Sequence, residues 1–421
     1  MKSEMVMEMK VHATRFGWAA FCLVNMLLLQ GGKMIAQSEN RESFSAVVKL
    51  VQQHSQLIVL QSPNGQAAIA VWPAMQGRVL TSTAEGPGGH GFGWVNNELI
   101  ASGKVQPHIQ AVGGEDRFWL GPEGGQFSLY FAKDAPFDLA HWFTPPLIDT
   151  EAFDLAGQTK SSVKFTKTAS LTNYSGTTFD LRIDREVRLL SSEEIWDVLK
   201  VGALRGVKVV GYETNNSLTN ISARKWEKNT GLLSIWILGQ FQSSPKSTII
   251  LPFRKGGASE LGIAVNADYF GAVPADRLAI GDNHALFRAD ANYRSKLGLS
   301  PQRALGVVGS YDAQNHVLTI VRHSMVPGDK DYVNSAWKLQ DDPFRGDVAN
   351  CYNDGPPAPG KPQLGSFYEL ESSSPARELA PGQSVKHIHR TIHLVGSFEL
   401  LDQVAKAVLG VGLSDVNEFM K

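Results

Sequence analysis

The feature that most constrains this chain is a stretch of strict alternation after a tight turn. Phe179, Leu181 and Ile183 alternate with Asp180, Arg182 and Asp184, shortly after Asn173-Tyr174-Ser175-Gly176. A period of two sends apolar and charged side chains to opposite faces, the mark of a half-buried strand. Residues 163–171 before the turn supply the other arm of a hairpin. Pro63-Asn64-Gly65 punctuates a second hairpin between apolar runs at 57–60 and 67–72. Asn-Gly suits such a turn because both residues tolerate positive φ. Further strands are expected at 206–214, 231–240, 303–311 and 316–323. A helix is expected at 43–53, with Phe44, Val47, Val48 and Val51 on one side. Another is expected at 398–408, with Leu400, Leu401, Val404 and Val408 on one side. Strands that do not alternate with amphipathic helices argue for an all-β antiparallel sandwich or barrel, with a few short peripheral helices. Two stretches, 86–114 and 325–365, read as long irregular loops, the kind that often carry function.

Charge excludes some partners. The 40 Lys and Arg balance 41 Asp and Glu without a basic stripe, which argues against nucleic acid. The N-terminus reads as a leader. Lys10, His12 and Arg15 precede an apolar run at 17–30, about 14 residues, too short to span a bilayer. Ala36-Gln37 offers a cleavage point. Residues 1–36 are therefore expected to be a signal peptide, and 37–421 one exported domain, periplasmic or extracellular, not inserted in a membrane after cleavage. The methionine-rich start places translation initiation at Met7 or Met9 as an alternative. Of two cysteines, Cys22 lies in the leader, which leaves Cys351 with no disulfide partner, expected as a buried thiol.

Several segments together resemble the galactose-mutarotase-like β-supersandwich superfamily. They are Leu171-Thr172-Asn173-Tyr174-Ser175-Gly176 with 179–187, Gly211-Tyr212-Glu213-Thr214-Asn215-Asn216, Phe367-Tyr368-Glu369-Leu370-Glu371, and His387-Ile388-His389-Arg390. Gly113-Gly114-Glu115-Asp116-Arg117-Phe118-Trp119-Leu120-Gly121-Pro122-Glu123-Gly124-Gly125-Gln126 looks like the hallmark of a secreted, uncharacterised branch. The resemblance implies an antiparallel supersandwich and a sugar ligand. It places Leu370-Glu371 where the epimerases carry their catalytic base. The chain departs from those enzymes at Pro375-Ala376-Arg377-Glu378 and lacks their histidine motifs, which argues against plain mutarotase activity.

Candidate chemistry concentrates in a few places. Glu115, Asp116, Arg117, Trp119 and Glu123 supply carboxylates and a guanidinium for vicinal hydroxyls, and an aromatic face for a sugar ring. Glu369 and Glu371 sit two apart and share one strand face, so each raises the other's proton affinity. With Glu371 as base, His323 is the expected acid. Asp341, Asp342, Arg345, Asp347, Asn350, Asn353 and Asp354 form a polar loop cluster from which Arg345 and Asp347 are expected to touch substrate. His387, His389 and His393 share a strand face at a metal-ligand spacing, but read as a polar outer face, so no metal or other cofactor is expected. The expectation is a sugar epimerase-like or related glycan-processing enzyme acting on a small-molecule or oligosaccharide substrate. The alternatives are a non-catalytic glycan-binding protein of the same fold and a purely structural domain.

Overall fold

A computed structural model describes residues 42–358 and 360–421; the expected leader and Cys22 lie outside the described residues. Glu42–Lys421 form one compact unit. In chain order the strands are β1 Ile58–Gln61, β2 Ala68–Trp72, β3 Arg78–Thr83, β4 Arg117–Gly121, β5 Asp154–Gln158, β6 Ser162–Thr172, β7 Thr178–Leu189, β8 Lys208–Asn220 and β9 Ser234–Gln242. They continue with β10 Ser247–Pro252, β11 Leu278–Ile280, β12 His284–Arg288, β13 Ser295–Leu299, β14 Val307–Asp312, β15 Val317–His323, β16 Ala349–Asn353, β17 Phe367–Ser373 and β18 Ser384–Val395. The helices are α1 Phe44–Gln52, α2 Asn97–Ser102, α3 Ser192–Leu199, α4 Ala258–Leu261, α5 Phe398–Leu409 and α6 Leu413–Phe419.

The strand pairings are antiparallel, in sheets of three, ten and five strands. The alternating hairpin is β6–β7, with Phe179 opposite Leu171 and Ile183 opposite Lys167. Phe179, Leu181, Ile183 and Val187 are wholly buried, as the pattern requires. At its turn Asn173 accepts hydrogen bonds from the Thr177 amide and the Ser175 hydroxyl, and Gly176 takes φ +86°. The ten-stranded sheet runs β11-β12-β10-β14-β15-β18-β8-β7-β6-β5, and the five-stranded sheet β13-β16-β17-β9-β4.

These two sheets pack against each other. Leu297, Cys351 and Leu370 of the smaller meet Ile249, Val308 and Val321 of the larger, all wholly buried. Burying each such aliphatic side chain contributes about 1.5–3 kcal/mol. The opposite side of the ten-stranded sheet is covered by α3, α5 and α6 through Ile195, Trp196, Leu401, Val404 and Val416. The all-β, antiparallel supersandwich expected from the sequence is thus what the chain forms. The structure adds α3, whose Ser191 and Glu194 form a reciprocal capping box. It also corrects the loops: α2 lies within 86–114 and β16 within 325–365. β16 escapes pattern reading because Ala-Asn-Cys-Tyr-Asn is short and covered on both faces.

Candidate functional site

Register places the site. On β17, Ser372 points into the seam between the sheets, where its hydroxyl bonds His387 Nε2 at 2.7 Å and His389 Nδ1 at 2.8 Å. The pleat therefore turns Glu369 and Glu371 to the outer face. Across that face Glu371 lies opposite Asn350 and Leu238, Glu369 opposite Tyr352 and Gln240, and Arg117 opposite Leu238. The next row holds Trp236 beside Trp119, and Lys296 on β13 pairs with Tyr352.

The side chains close into one cluster. Lys296 Nζ and the Trp236 indole N–H each donate to Glu371 Oε2 at 2.9 Å. Arg117 Nη2 donates to Glu369 Oε1 at 2.5 Å. The Lys296 ammonium also lies 4.9 Å from the Trp236 ring. Trp119, Tyr130, Trp142 and Trp337 continue as a chain of ring contacts beside it. Burial, then the charge of Glu371, push the Glu369 carboxyl from 4.5 up to about 7, against the pull of Arg117 and Lys296. Glu123 is likewise raised, first by burial and then by Glu371, while Lys296 and the Trp337 indole oppose the shift. Burial works to lower the Lys296 ammonium, but Glu371, Glu123 and Glu369 together hold it above its ordinary value.

Several buried polar atoms on this face have no protein partner: Glu371 Oε1, Gln240 Oε1, Arg117 Nε and the Trp119 indole nitrogen. Acceptors and donors left unmatched around one face are costly in a finished core and are what a polyhydroxylated ligand can satisfy. Asp347 belongs to the same face. Its carboxyl accepts from Tyr269 OH at 2.5 Å and from Asn266 Nδ2 at 2.9 Å, and burial raises its proton affinity.

The structure divides the segment that the sequence presents as one constellation. Arg117, Trp119 and Glu123 join Glu369, Glu371 and Asp347. Glu115 and Asp116 turn the other way. Glu115 accepts from the Ser82 amide at 2.5 Å, the Ser82 hydroxyl at 2.8 Å and Tyr212 OH at 3.3 Å, and lies 3.0 Å from His393 Nε2. Asp116 accepts from Arg185 at 2.6 Å and Thr214 at 2.9 Å. Both carboxylates tie the small sheet's edge to the large sheet, so neither faces the ligand side.

His323 is also corrected. It pairs with His389 on β18, and its ring lies 6.2 Å from that of His387 in the seam. The backbone of the small sheet separates it from Glu371, so the two cannot act on one atom. Burial lowers His323 to about 4 and holds His387 and His389 well below the ordinary imidazole range. The expected polar outer face at His387, His389 and His393 is instead a buried seam. Among the described residues no group of His, Cys, Asp or Glu is placed to hold a metal ion. Arg345 stands apart, its side chain 79% exposed and near only Asp342 among carboxylates, at 3.6 Å.

Sequence reading passed over Lys296, Trp236, Trp337 and Tyr269. A lone Lys in the otherwise apolar Leu297-flanked strand was the one available signal. A surface hollow of about 440 Å³ lies elsewhere, lined by Lys228, Asp329, Asp331, Ala376, Arg377 and Glu378. Its charges neutralise one another through Lys228–Asp331 and Arg377–Asp329 pairs.

The family model that matches this chain runs along residues 42–420. The chain belongs to DUF6786, a family of unknown function. No curated protein matches it. Among solved structures it is similar to an Escherichia coli K12 protein provisionally named an aldose 1-epimerase, at 11% identity over 81% of this chain and 99% of that chain, with TM-score 0.48. A galactose mutarotase-like protein from Lactobacillus casei is 10% identical over 80% and 100%, with TM-score 0.47. A galactose mutarotase related enzyme from Lactobacillus acidophilus is 9% identical over 80% and 97%, with TM-score 0.43. These overlays are loose, and the supersandwich of the DUF6786 chain is read from its own sheets.

Proposed function

We propose that this DUF6786 protein is an exported carbohydrate-active protein that holds a sugar on the outer face of its five-stranded sheet, over Glu371. The observation that carries the reading is the buried Glu369–Glu371 pair, set among Arg117, Lys296 and tryptophan rings, with Glu371 Oε1 and neighbouring polar atoms unmatched. Carboxylate and guanidinium bind hydroxyls, and indole faces cover the apolar side of a pyranose. Two carboxyls in different settings can divide acid and base roles. In an epimerase-like reaction Glu371 takes a proton and Glu369, poised at about 7, returns one.

The test is thermal unfolding of the mature protein against mono- and oligosaccharides. A sugar at 100 times its dissociation constant adds about 2.7 kcal/mol if it binds only the folded state. The expected result is a rise with one sugar class, lost in Arg117→Ala. Glu371→Gln should keep binding and abolish turnover followed by anomer or product NMR. No rise with any sugar overturns the reading. Binding without turnover in the wild type converts it to the second reading, a glycan-binding protein, which the complete burial of Glu371 favours.

A further inference from the structure

Tyr269 occupies an unusual position. It stands on the segment between α4 and β11, yet its hydroxyl reaches the strand face of the site. There it donates to Asp347 Oδ2 at 2.5 Å and accepts from Asn350 Nδ2 at 2.9 Å. Asn266 Nδ2 donates to the same Asp347 oxygen at 2.9 Å. The Tyr269 ring lies 5.7 Å from Lys296 Nζ, which in turn bonds Glu371. Tyr269 and Lys296 are both half-buried, and Glu371 is fully covered. The phenol ring therefore lies beside the member of the Lys296–Glu371 pair that solvent can reach.

The surroundings are built to receive that hydroxyl. A Cβ at Gly298 would come within 2.1 Å of the Asp347 carboxylate and 2.8 Å of the Asn350 amide, so only glycine lets both settle on β13. A carboxylate acceptor and an amide donor converging on one hydroxyl is also how a sugar hydroxyl is held. The segment's attachments are uneven. Arg303 pins its start through the carbonyls of Arg254, Gly256, Gly262 and Ile263. Backbone bonds between Asn266 and Gly298 hold its middle. Beyond Asn266, Tyr269 is the hold on the site's side, while Ala267 and Val273 pack against the core between the sheets, the Ala272 carbonyl accepts from Tyr293 OH at 3.3 Å and the Asp276 carbonyl accepts from Arg288 Nε at 2.7 Å. Phe270 is 46% exposed and rests on Arg294 at 4.0 Å, and Gly271 turns at φ +93° with open space around it.

We propose that Asp347, Asn350 and Asn266 form a sugar-hydroxyl subsite that Tyr269 fills as an internal stand-in, so that Tyr269 gates the Lys296–Glu371 centre. A sugar hydroxyl entering the subsite makes the bonds the phenol gives up, and residues 268–271 swing outward between the anchors at Ala267 and Ala272. This inference rests on the function proposed above for its ligand class, but the gate itself is testable without any sugar.

The experiment is acetylation of the folded protein with an amine-reactive ester, followed by mass spectrometry of the Lys296 peptide. Lys255, whose side chain is 70% exposed, serves as internal control. Tyr269→Phe loses the hydroxyl latch but keeps the ring, and should raise Lys296 labelling several-fold. Tyr269→Ala should raise it at least about tenfold, with Lys255 unchanged, because the open state becomes the populated one. Unchanged Lys296 labelling in both variants overturns the gate, even if a sugar is found to bind. Crystals of Tyr269→Ala soaked in glycerol test the subsite. A glycerol hydroxyl bonded to Asp347 and Asn350 is expected. Collapse of Asp347 onto Lys296 with no glycerol there overturns the subsite, and this result is independent of whether any sugar shifts the melting temperature.

Discussion

The two faces of the five-stranded sheet carry similar residues in opposite condition. On the inner face Glu115 has the Ser82 amide and hydroxyl, Tyr212 OH and His393 around it, and Asp116 has Arg185 and Thr214. On the outer face Glu371 has one oxygen bonded to Lys296 and Trp236 and the other unmatched, beside a Glu369 that titrates near neutrality. A carboxylate ringed by donors from a neighbouring sheet fixes how the sheets meet. A carboxylate crowded by another and left short of donors stores unfavourable free energy, the usual state of a working site. Burial alone does not separate the two, since all four carboxylates are buried.

The largest expected effect bears on the inner face. Asp116→Ala leaves the Arg185 guanidinium buried and unpaired, at a cost of about 3–5 kcal/mol. Glu371→Gln on the outer face should cost less, about 1–2 kcal/mol, because the amide oxygen still accepts from Lys296 and Trp236 and the charges of Glu123 and Glu369 remain near the ammonium. Urea denaturation of both variants checks this. Equal losses would mean that the outer cluster is scaffold too.

A second prediction uses pH. His323, depressed from 6.5 to about 4, binds fewer protons folded than unfolded. Its stabilising contribution is complete above about pH 6.5 and is lost as pH falls through about 4. Glu369 runs the other way. Raised from 4.5 to about 7, it contributes stability that is complete below about 4.5 and is lost as pH rises through about 7. Between these limits the two faces should show opposite slopes. Glu369→Gln should make stability rise more steeply with pH over this window, and His323→Gln should make it rise less. Denaturation midpoints measured from pH 4 to 8 give the result. Identical slopes in both variants would remove the distinction.

The smallest effects concern features outside both faces. Ser191→Ala removes the α3 cap and should cost about 1 kcal/mol with no change in sugar binding. Arg345→Ala should shift stability by less than about 0.5 kcal/mol, because an exposed pair at 3.6 Å is screened by water. A loss of sugar binding in Arg345→Ala would draw the site's boundary wider than the Asp347 subsite.

The sequence by itself determined the strands with one wet face and the turns between them. Alternation in 179–187 and the Asn173–Gly176 turn are local patterns, and local patterns decide whether a backbone extends or turns. It also determined that Glu369 and Glu371 share a face, since that follows from the pleat alone. Only tertiary structure decided which face. Glu115 and Arg117 also sit two apart, yet they serve opposite sides, because the backbone enters β4 only at Arg117 and alternation does not extend back through Gly113 and Gly114. His323 looked like an acid for Glu371 because side-chain chemistry is legible in a sequence, while the sheet that separates the two residues is not. Lys296 and Trp236 reach Glu371 across sequence separations of 75 and 135 residues, and Tyr269 reaches Asp347 across 78. Contacts of that kind are made by packing two sheets and folding their loops back, and no periodicity along the chain records them.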